Sequence, residues 1–400
     1  MVVLSRLIPA FLAAASGSTY PCRVIEPDPL QQIDRTWVSF RGRKLSYFSG
    51  CDYFRLSTHP EVLSTLRAGL KRYGWSVAAS RMTTGNHVLY KQLERQLAQF
   101  FEAPAALLIP SGYLTNLAVA QALAGQWSHV LIDEAAHPSL SDAANAFGCP
   151  VLSFGHRSAE SLEAAVSRCG AGARIVLLTD GMFSRDGSVA PLKDYVQVLP
   201  RDAMLLVDDA HAAGVLGAKG RGSLEYAGVD RKRSIQTVTL SKAVGTFGGA
   251  ILCSAALRTK VIEKSHIFIG STPLPLPIVC ATRQALKILR ADRTLRERLV
   301  QNTQFVRDGL RNRGLVFPET PGPIVAAKPK SAAAEVKIRA SLLKAGVYPS
   351  LISYPGGPPS AYFRFVISSE HTRAQLDNLV AGLADCGRLI EPLASVGVPV

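Results

Sequence analysis

The chain has 400 residues and a mass of 42.9 kDa, with 48% apolar and 19% charged residues. That is enough material for a sizeable core. It excludes a largely disordered chain, and at about 150 residues per domain it predicts two or three structural units. Glycine and proline, 32 and 24 residues, are near average usage and exclude collagen-like or low-complexity sequence. Forty-five basic residues against 30 acidic ones give a formal charge of +15. This points to an anionic partner: a nucleic acid, a membrane surface, a phosphorylated cofactor, a nucleotide-bearing thioester or an acidic carrier protein. The basic residues are scattered, and the densest cluster, Arg231-Lys232-Arg233, has no interleaved aromatics. A solvated basic face is therefore expected rather than nucleic-acid binding.

In chain order, residues 1–45 read as an N-terminal arm, in which Pro21, Pro27 and Pro29 interrupt helix. The opening apolar run reads as an N-terminal helix rather than a secretory signal, and no run approaches the roughly 20 residues of a membrane helix. The seven cysteines, Cys22, Cys51, Cys149, Cys169, Cys253, Cys280 and Cys386, are odd in number, far apart and without a CxxC. Reduced thiols, no metal site and a cytoplasmic location are the expectation.

From about residue 50 to 255, short apolar runs alternate with helical patterns. AALLIP (105–110), HVLID (129–133), RIVLLTD (174–180), AMLLVDD (203–209) and IQTVTLS (235–241) have strand length. Helices are expected over Val88 to Phe101, Tyr113 to Ala124 and Ser158 to Arg168; in the first, Leu89, Leu93, Leu97 and Phe101 recur on one face. Apolar strands between amphipathic helices predict an α/β fold with a mostly parallel central sheet covered on both faces. After STPLPLP (271–277) the texture becomes α+β. A long helix is expected over 279–313, then a GLVF strand, a helix over 332–345, the GVYPS and YFRFVIS segments, and a helix over 371–386. The expected division is an arm to 45, a large domain from 46 to 285 and a smaller C-terminal domain from 286 to 400.

Ligands of open α/β sheets bind beyond the carboxyl ends of the strands. Those ends present Ser111-Gly112-Tyr113, Asp133 and His137, Asp180 and Ser184, Asp208 with His211, and Ser241-Lys242. A lysine leaving a buried strand for a glycine-rich turn loses solvation, which lowers its pKa and suits it to an imine. Asp208 ends the run Met204–Val207, and its partly desolvated carboxylate calls for a cation such as a pyridinium, although an N-cap role is the plain alternative. His211 then faces a neighbouring ring substituent. Ser111-Gly112-Tyr113 opens a helix whose free N–H groups suit a phosphate, or simply cap it, and Thr239 adds a hydroxyl. His137 offers a flat ring for stacking. Together these groups describe pyridoxal 5'-phosphate (PLP). No GxGxxG, GxxxxGK[ST] or HExxH supports another cofactor or a catalytic metal.

The segments VDDAHAAGVLGAKGRGS (207–223), TLSKAVGTFGGA (239–250), TDGMFSRDGSVAPL (179–192), SGYLTN (111–116), SRMTTGNH (80–87) and SEHT (369–372) resemble the α-oxoamine synthase family of PLP enzymes. The resemblance runs from about Phe48 to Thr372. It implies a fold-type-I PLP-dependent transferase, a homodimer with active sites at the subunit interface. It implies Lys242 as the Schiff-base lysine, Asp208 on the pyridinium nitrogen, His211 and Ser184 on the phenolic oxygen, and His137 stacked on the ring. Ser111, Gly112, Tyr113 and Thr239 match phosphate-side positions. Ser271 and Thr272 match a segment that reaches the neighbouring subunit's phosphate, and Arg364 matches the residue holding the amino-acid carboxylate. The implied reaction is decarboxylative Claisen condensation of alanine, serine or glycine with an acyl-CoA or acyl-carrier-protein thioester. An 8-amino-7-oxononanoate synthase-like activity comes first, a serine palmitoyltransferase-like long-chain synthase second, and an aminotransferase or aldolase-type lyase is the rival outside this chemistry. A degenerate regulatory subunit is disfavoured because Lys242 is present. The sequence departs from the family at WSVAAS (75–80), where glycines are usual, at Asp180 for glutamate, at Arg185 for methionine and at Pro138 for alanine.

Overall fold

A computed structural model describes residues 28–353 and 361–393. The opening apolar segment lies outside the described residues. Among the described residues, fourteen strands are numbered in chain order. The first three, β1 (Gln31–Gln32), β2 (Trp37–Phe40) and β3 (Arg43–Ser46), form a small antiparallel sheet. The central sheet is built from β4 (Ala105–Ile109), β5 (His129–Asp133), β6 (Val151–Phe154), β7 (Ile175–Asp180), β8 (Met204–Asp208), β9 (Ser234–Thr239) and β10 (Gly249–Cys253). The C-terminal sheet holds β11 (Ile324–Pro329), β12 (Leu351–Ile352), β13 (Tyr362–Val366) and β14 (Ile390–Pro392).

The central sheet runs β4-β10-β9-β8-β7-β5-β6. Every pairing is parallel except those of β10, which is antiparallel to both β4 and β9. All the other strands thus point the same way, and their carboxyl ends share one edge. Alternation along the strands explains the layering. Val130, Ile132, Val176, Leu178 and Leu206 pack into one apolar layer. Their neighbours Leu131, Ile175, Leu177, Leu205 and Val207 pack into another. Helices cover both faces, as a parallel sheet requires.

Sequence patterning places five of these strands within one or two residues. It does not find β6, a four-residue edge strand with alternating exposure, nor β10, whose Gly249 start reads as the continuation of a turn. The helix Val88–Phe101 has its expected limits, and Ser158 caps the helix Ala159–Arg168. The single helix expected over 279–313 is two, Leu276–Ala291 and Thr294–Arg311. The break has a local cause: Asp292 Oδ1 accepts bonds from the N–H and hydroxyl of Thr294 at 2.9 and 2.6 Å, a turn that competes with helix. GLVF forms no strand; Gly314 (φ 78°) closes a turn and β11 follows instead.

Residue 286, the expected domain boundary, lies inside Leu276–Ala291, where Leu286 and Leu289 share a core with Leu93 and Val279. The C-terminal sheet has its own core, in which Phe363, Phe365, Ile338, Leu342 and Leu379 are buried. The β2–β3 hairpin, inside the expected arm, packs Val38, Phe40 and Leu45 against Leu343 and Tyr348 of that C-terminal part. No described helix is long and apolar enough to cross a membrane.

Glu94 ties the large part together. Its buried carboxylate meets Arg81 at 2.5 Å and Arg258 at 3.1 Å and accepts the Leu108 N–H at 3.1 Å. It thereby joins the helix Val88–Phe101 to β4 and to the helix Ala255–Lys264. Removing one partner of a buried ion pair leaves the other uncompensated. Glu94→Ala is therefore expected to cost about 3–5 kcal/mol in urea unfolding; a loss below about 1 kcal/mol contradicts this role.

Candidate functional site

The carboxyl ends of β4, β5, β7, β8 and β9 deliver the expected residues to one edge of the sheet. In the β7–β8 register Asp180 lies opposite Asp208, so two carboxylates sit side by side. Asp208 is 5% exposed and held by neighbouring donors. Its Oδ2 accepts the Asn116 amide at 2.7 Å and lies 3.4 Å from the Ser139 hydroxyl; its Oδ1 accepts the Ala210 N–H at 2.9 Å. The residues after Asp208 form turns, not a helix, so the N-cap alternative for this aspartate does not hold. Asp209 faces a different environment. It accepts the Ser223 N–H and hydroxyl at 2.8 and 2.5 Å and the Gln236 amide, and burial pushes its carboxyl up to about 6.

Burial raises Asp180 well above the usual carboxylate range, and the neighbouring Asp208 charge adds to the effect. Two adjacent buried carboxylates cannot both ionise without cost. Asp180 also accepts the His137 N–H at 2.8 Å.

Lys242 follows β9 in a turn and is partly exposed. Desolvation of its amine lowers the pKa, with Arg364 acting in the same direction and Cys51, Asp208 and Asp180 opposing it. These groups surround the amine. His211 is buried, and its Nδ1 lies 2.7 Å from the Tyr53 hydroxyl. Burial, then Lys242, Arg364 and His137, hold its pKa well below the ordinary value, so the ring is neutral. Arg364, on β13, donates from Nη1 to the Ser184 carbonyl at 3.1 Å and so brings the C-terminal sheet to the site.

His137 caps the helix Pro138–Ala146: its Nδ1 accepts the Ser139 N–H at 3.2 Å and lies 2.8 Å from the Ser139 hydroxyl. Desolvation lowers its pKa against the pull of Asp208. The Tyr113 ring meets it edge-on at 5.9 Å, while the Tyr113 hydroxyl donates to Asp142 at 2.5 Å. Ser111 caps the helix Gly112–Leu123, whose first turn rests on the end of β9. A Cβ at Gly112 would lie 2.6 Å from Thr239, so only glycine lets the helix start approach this closely.

The structure thus gathers Lys242, Asp208, His137, His211, Ser184 and Arg364 at one end of the sheet, with Ser111, Gly112, Tyr113 and Thr239 at the adjoining helix start. It does not bring Ser271 and Thr272 into this group. They follow the helix His266–Gly270, Thr272 is exposed, and no hydrogen bond among the described residues links them to the others. Sequence reading missed Asn116, Ser139, Tyr53 and Cys51. Asn116 lies within the SGYLTN segment, but its contact with Asp208 spans 92 positions and has no local signal. In the WSVAAS departure, Trp75 is 65% exposed and Ala78 adopts a left-handed φ of 50°, rare for a residue with a side chain.

Comparison with known proteins agrees with this geometry. The sequence profile of aminotransferase class I and II matches residues 53–383. The 8-amino-7-oxononanoate synthase of Methylococcus capsulatus is 37% identical over 354 residues, spanning 88% of this chain and 91% of that one. The enzyme of the same name from Thioalkalivibrio sulfidiphilus is 36% identical, over 92% and 94%. Serine palmitoyltransferase from S. paucimobilis, solved with a bound PLP–myriocin aldimine, superposes with a TM-score of 0.84 at 27% identity, covering 90% and 91%. With a matching profile over most of the chain, and relatives of one activity above 30% identity along nearly their whole length, the chain belongs to the aminotransferase class I and II family, within its α-oxoamine synthase branch.

Proposed function

We propose that this protein is a PLP-dependent α-oxoamine synthase that condenses an amino acid with an acyl thioester, releasing carbon dioxide and the free thiol. One observation carries the reading: a desolvated lysine amine lies in the field of a buried, hydrogen-bonded aspartate at the carboxyl ends of adjacent strands. The residues present fit the cofactor. Lys242 provides the amine, Asp208 an anion for a ring nitrogen, and the Ser111–Gly112 helix start a phosphate cradle that a Cβ at position 112 would fill.

When bound, PLP supplies an aldehyde for the lysine and a ring that accepts the electron pair released at the substrate's α-carbon. The chain's residues do the rest. Arg364 binds the amino-acid carboxylate. His137 would cover one face of the ring and keep water from it. The lowered pKa of Lys242 leaves its amine able to take a proton from the α-carbon and return one after carbon dioxide has left. Asp208, held by Asn116 and the Ala210 N–H, would face the ring nitrogen and hold a proton on it. His211, neutral and fixed by Tyr53, and Ser184 serve the ring oxygen.

Alanine with a pimeloyl thioester is the first substrate pair, supported by the 8-amino-7-oxononanoate synthase relatives. A long-chain donor is the second reading, supported by the serine palmitoyltransferase likeness. The enzyme is read as a cytoplasmic homodimer, with Ser271 and Thr272 facing the partner's phosphate site; their place outside this chain's own cluster supports it. The +15 charge suits an anionic donor, either CoA or a carrier protein.

Amino acids and thioesters assayed for equimolar thiol and carbon dioxide test the reaction class; transamination of a keto acid without thiol release overturns it. Lys242→Ala is expected to lose the visible cofactor band and at least about a hundredfold in turnover. An unchanged spectrum and rate would reject the assignment. Asp208→Asn is expected to retain cofactor but to lose turnover by a similar factor, because the ring is no longer held protonated. Near-wild-type rates count against the pyridinium role.

A further inference from the structure

We infer that a basic cleft outside the Lys242 cluster is a binding site for the diphosphate group of a nucleotide. It opens where the turn after His211 meets the junction of the helices Leu276–Ala291 and Thr294–Arg311. The inference goes beyond the preceding reading and shares no residue with it.

The cleft encloses about 560 Å³ and is lined by Lys219, Arg221, Arg290, Arg293 and Arg296, with Glu102 as its one acid among the described residues. That volume lies within the range of small-molecule sites, about 300–1,000 Å³. The cations come from segments far apart in the chain, so a sequence that reads as scattered basic residues folds to gather them.

The acids nearby are already engaged. Glu102 binds the Arg221 guanidinium through both oxygens, and Arg221 Nε donates to the Phe100 carbonyl at 3.2 Å. Glu225 accepts the backbone N–H of Lys219 at 3.1 Å and of Arg221 at 2.9 Å. Asp292 accepts from Thr294, and Glu297 lines the neighbouring cleft rather than this one. Arg296 is half-buried and donates from Nη1 to the Leu289 carbonyl at 3.2 Å. A Cβ at Gly220 would lie 3.3 Å from the Arg296 side chain, so its stem rests on the glycine turn. Lys219, Arg290 and Arg293 are exposed, and among the described residues their side chains form no salt bridge.

This gathering has an electrostatic cost. Burial lowers the Arg296 pKa, and Arg293 pushes the same way against Glu225, Glu297 and Asp292. Arg293 and Arg296 do not serve their own helix either: they stand at its N-cap and third position, where the dipole disfavours cations. An anion in the cleft offsets both costs. Guanidinium forks pair with phosphate oxygens two at a time, and four of the five lining cations are arginines. Cations on two helix ends and a turn suit two linked phosphates rather than one, and the volume leaves room for a nucleoside. A single-stranded nucleic acid is disfavoured, because the lining Phe100 is 8% exposed and offers no face for stacking bases.

The test is titration calorimetry of the full-length protein with its cofactor bound, with pyrophosphate as the probe. One saturable site per chain is expected. Its affinity is expected to fall as ionic strength rises from about 0.01 to about 0.15 M and the Debye length shrinks from about 30 to about 8 Å. In Arg290→Gln/Arg293→Gln, at two exposed positions, the dissociation constant is expected to rise at least about tenfold. Lys337→Gln/Lys344→Gln removes the same charge from the helix Ala332–Lys344, which lines no part of the cleft, and is expected to change it less than about twofold. ADP and CoA then separate the sources of the diphosphate: displacement of pyrophosphate by ADP and not by CoA marks a free nucleotide, and displacement by CoA marks the nucleotide end of a CoA thioester. No saturable binding, equal effects in the two double variants, or failure of both nucleotides to displace pyrophosphate overturns the proposal. A protein that takes up no cofactor rejects the functional reading instead, while the cleft titration stands on its own.

Discussion

A carboxylate buried at the end of a parallel strand is tolerable only if every lone pair is answered, and the architecture around Asp208 is arranged to answer it. Asn116 comes from the helix after β4, Ser139 from the helix after β5, and the Ala210 N–H from the turn after β8. Each contact fixes one neighbouring element, so satisfying this one charge brings three loops into register. The side facing Lys242 is where a cation would complete the set. Had β8 ended one residue earlier or later, the carboxylate would have fallen on the opposite face of the sheet.

The electrostatics form a graded set rather than a collection of charges. Asp180 and Asp208 are adjacent, and burial, with the Asp208 charge beside it, raises the Asp180 carboxyl well above the usual carboxylate range. Burial lowers the pKa of His137, His211 and Lys242 alike, so Arg364 is the standing cation of the cluster. A lysine amine of lowered pKa and an arginine beside buried carboxylates suit an anionic substrate at a desolvated strand end. The family relationship and the proposed reading meet at this sheet edge.

Much of this was legible in the sequence because the chemistry sits at strand ends, and strand ends are visible as the last apolar residue of a run. HVLID and AMLLVDD place Asp133 and Asp208 without any structural information, and TVTL places Lys242. The helix start at Ser111 was legible for the same reason. What remained hidden had no local signal. β10 runs antiparallel between β4 and β9, and nothing in GGAILC declares its direction. The division of the long C-terminal helix depends on one Asp292 side chain turning back on Thr294. Asn116, Ser139 and Tyr53 act through contacts that cross 92, 69 and 158 positions, and only folding reveals them. Ser271 and Thr272 were read from family likeness alone, and within one chain they stand apart from the cluster.

The central claim is that a single amine, at position 242, carries the cofactor. Borohydride reduction of the reconstituted protein, followed by peptide mass mapping, tests it directly. The account predicts one phosphopyridoxyl adduct, on the peptide containing Lys242. An adduct on another lysine, or none on a protein that has taken up PLP, would contradict it.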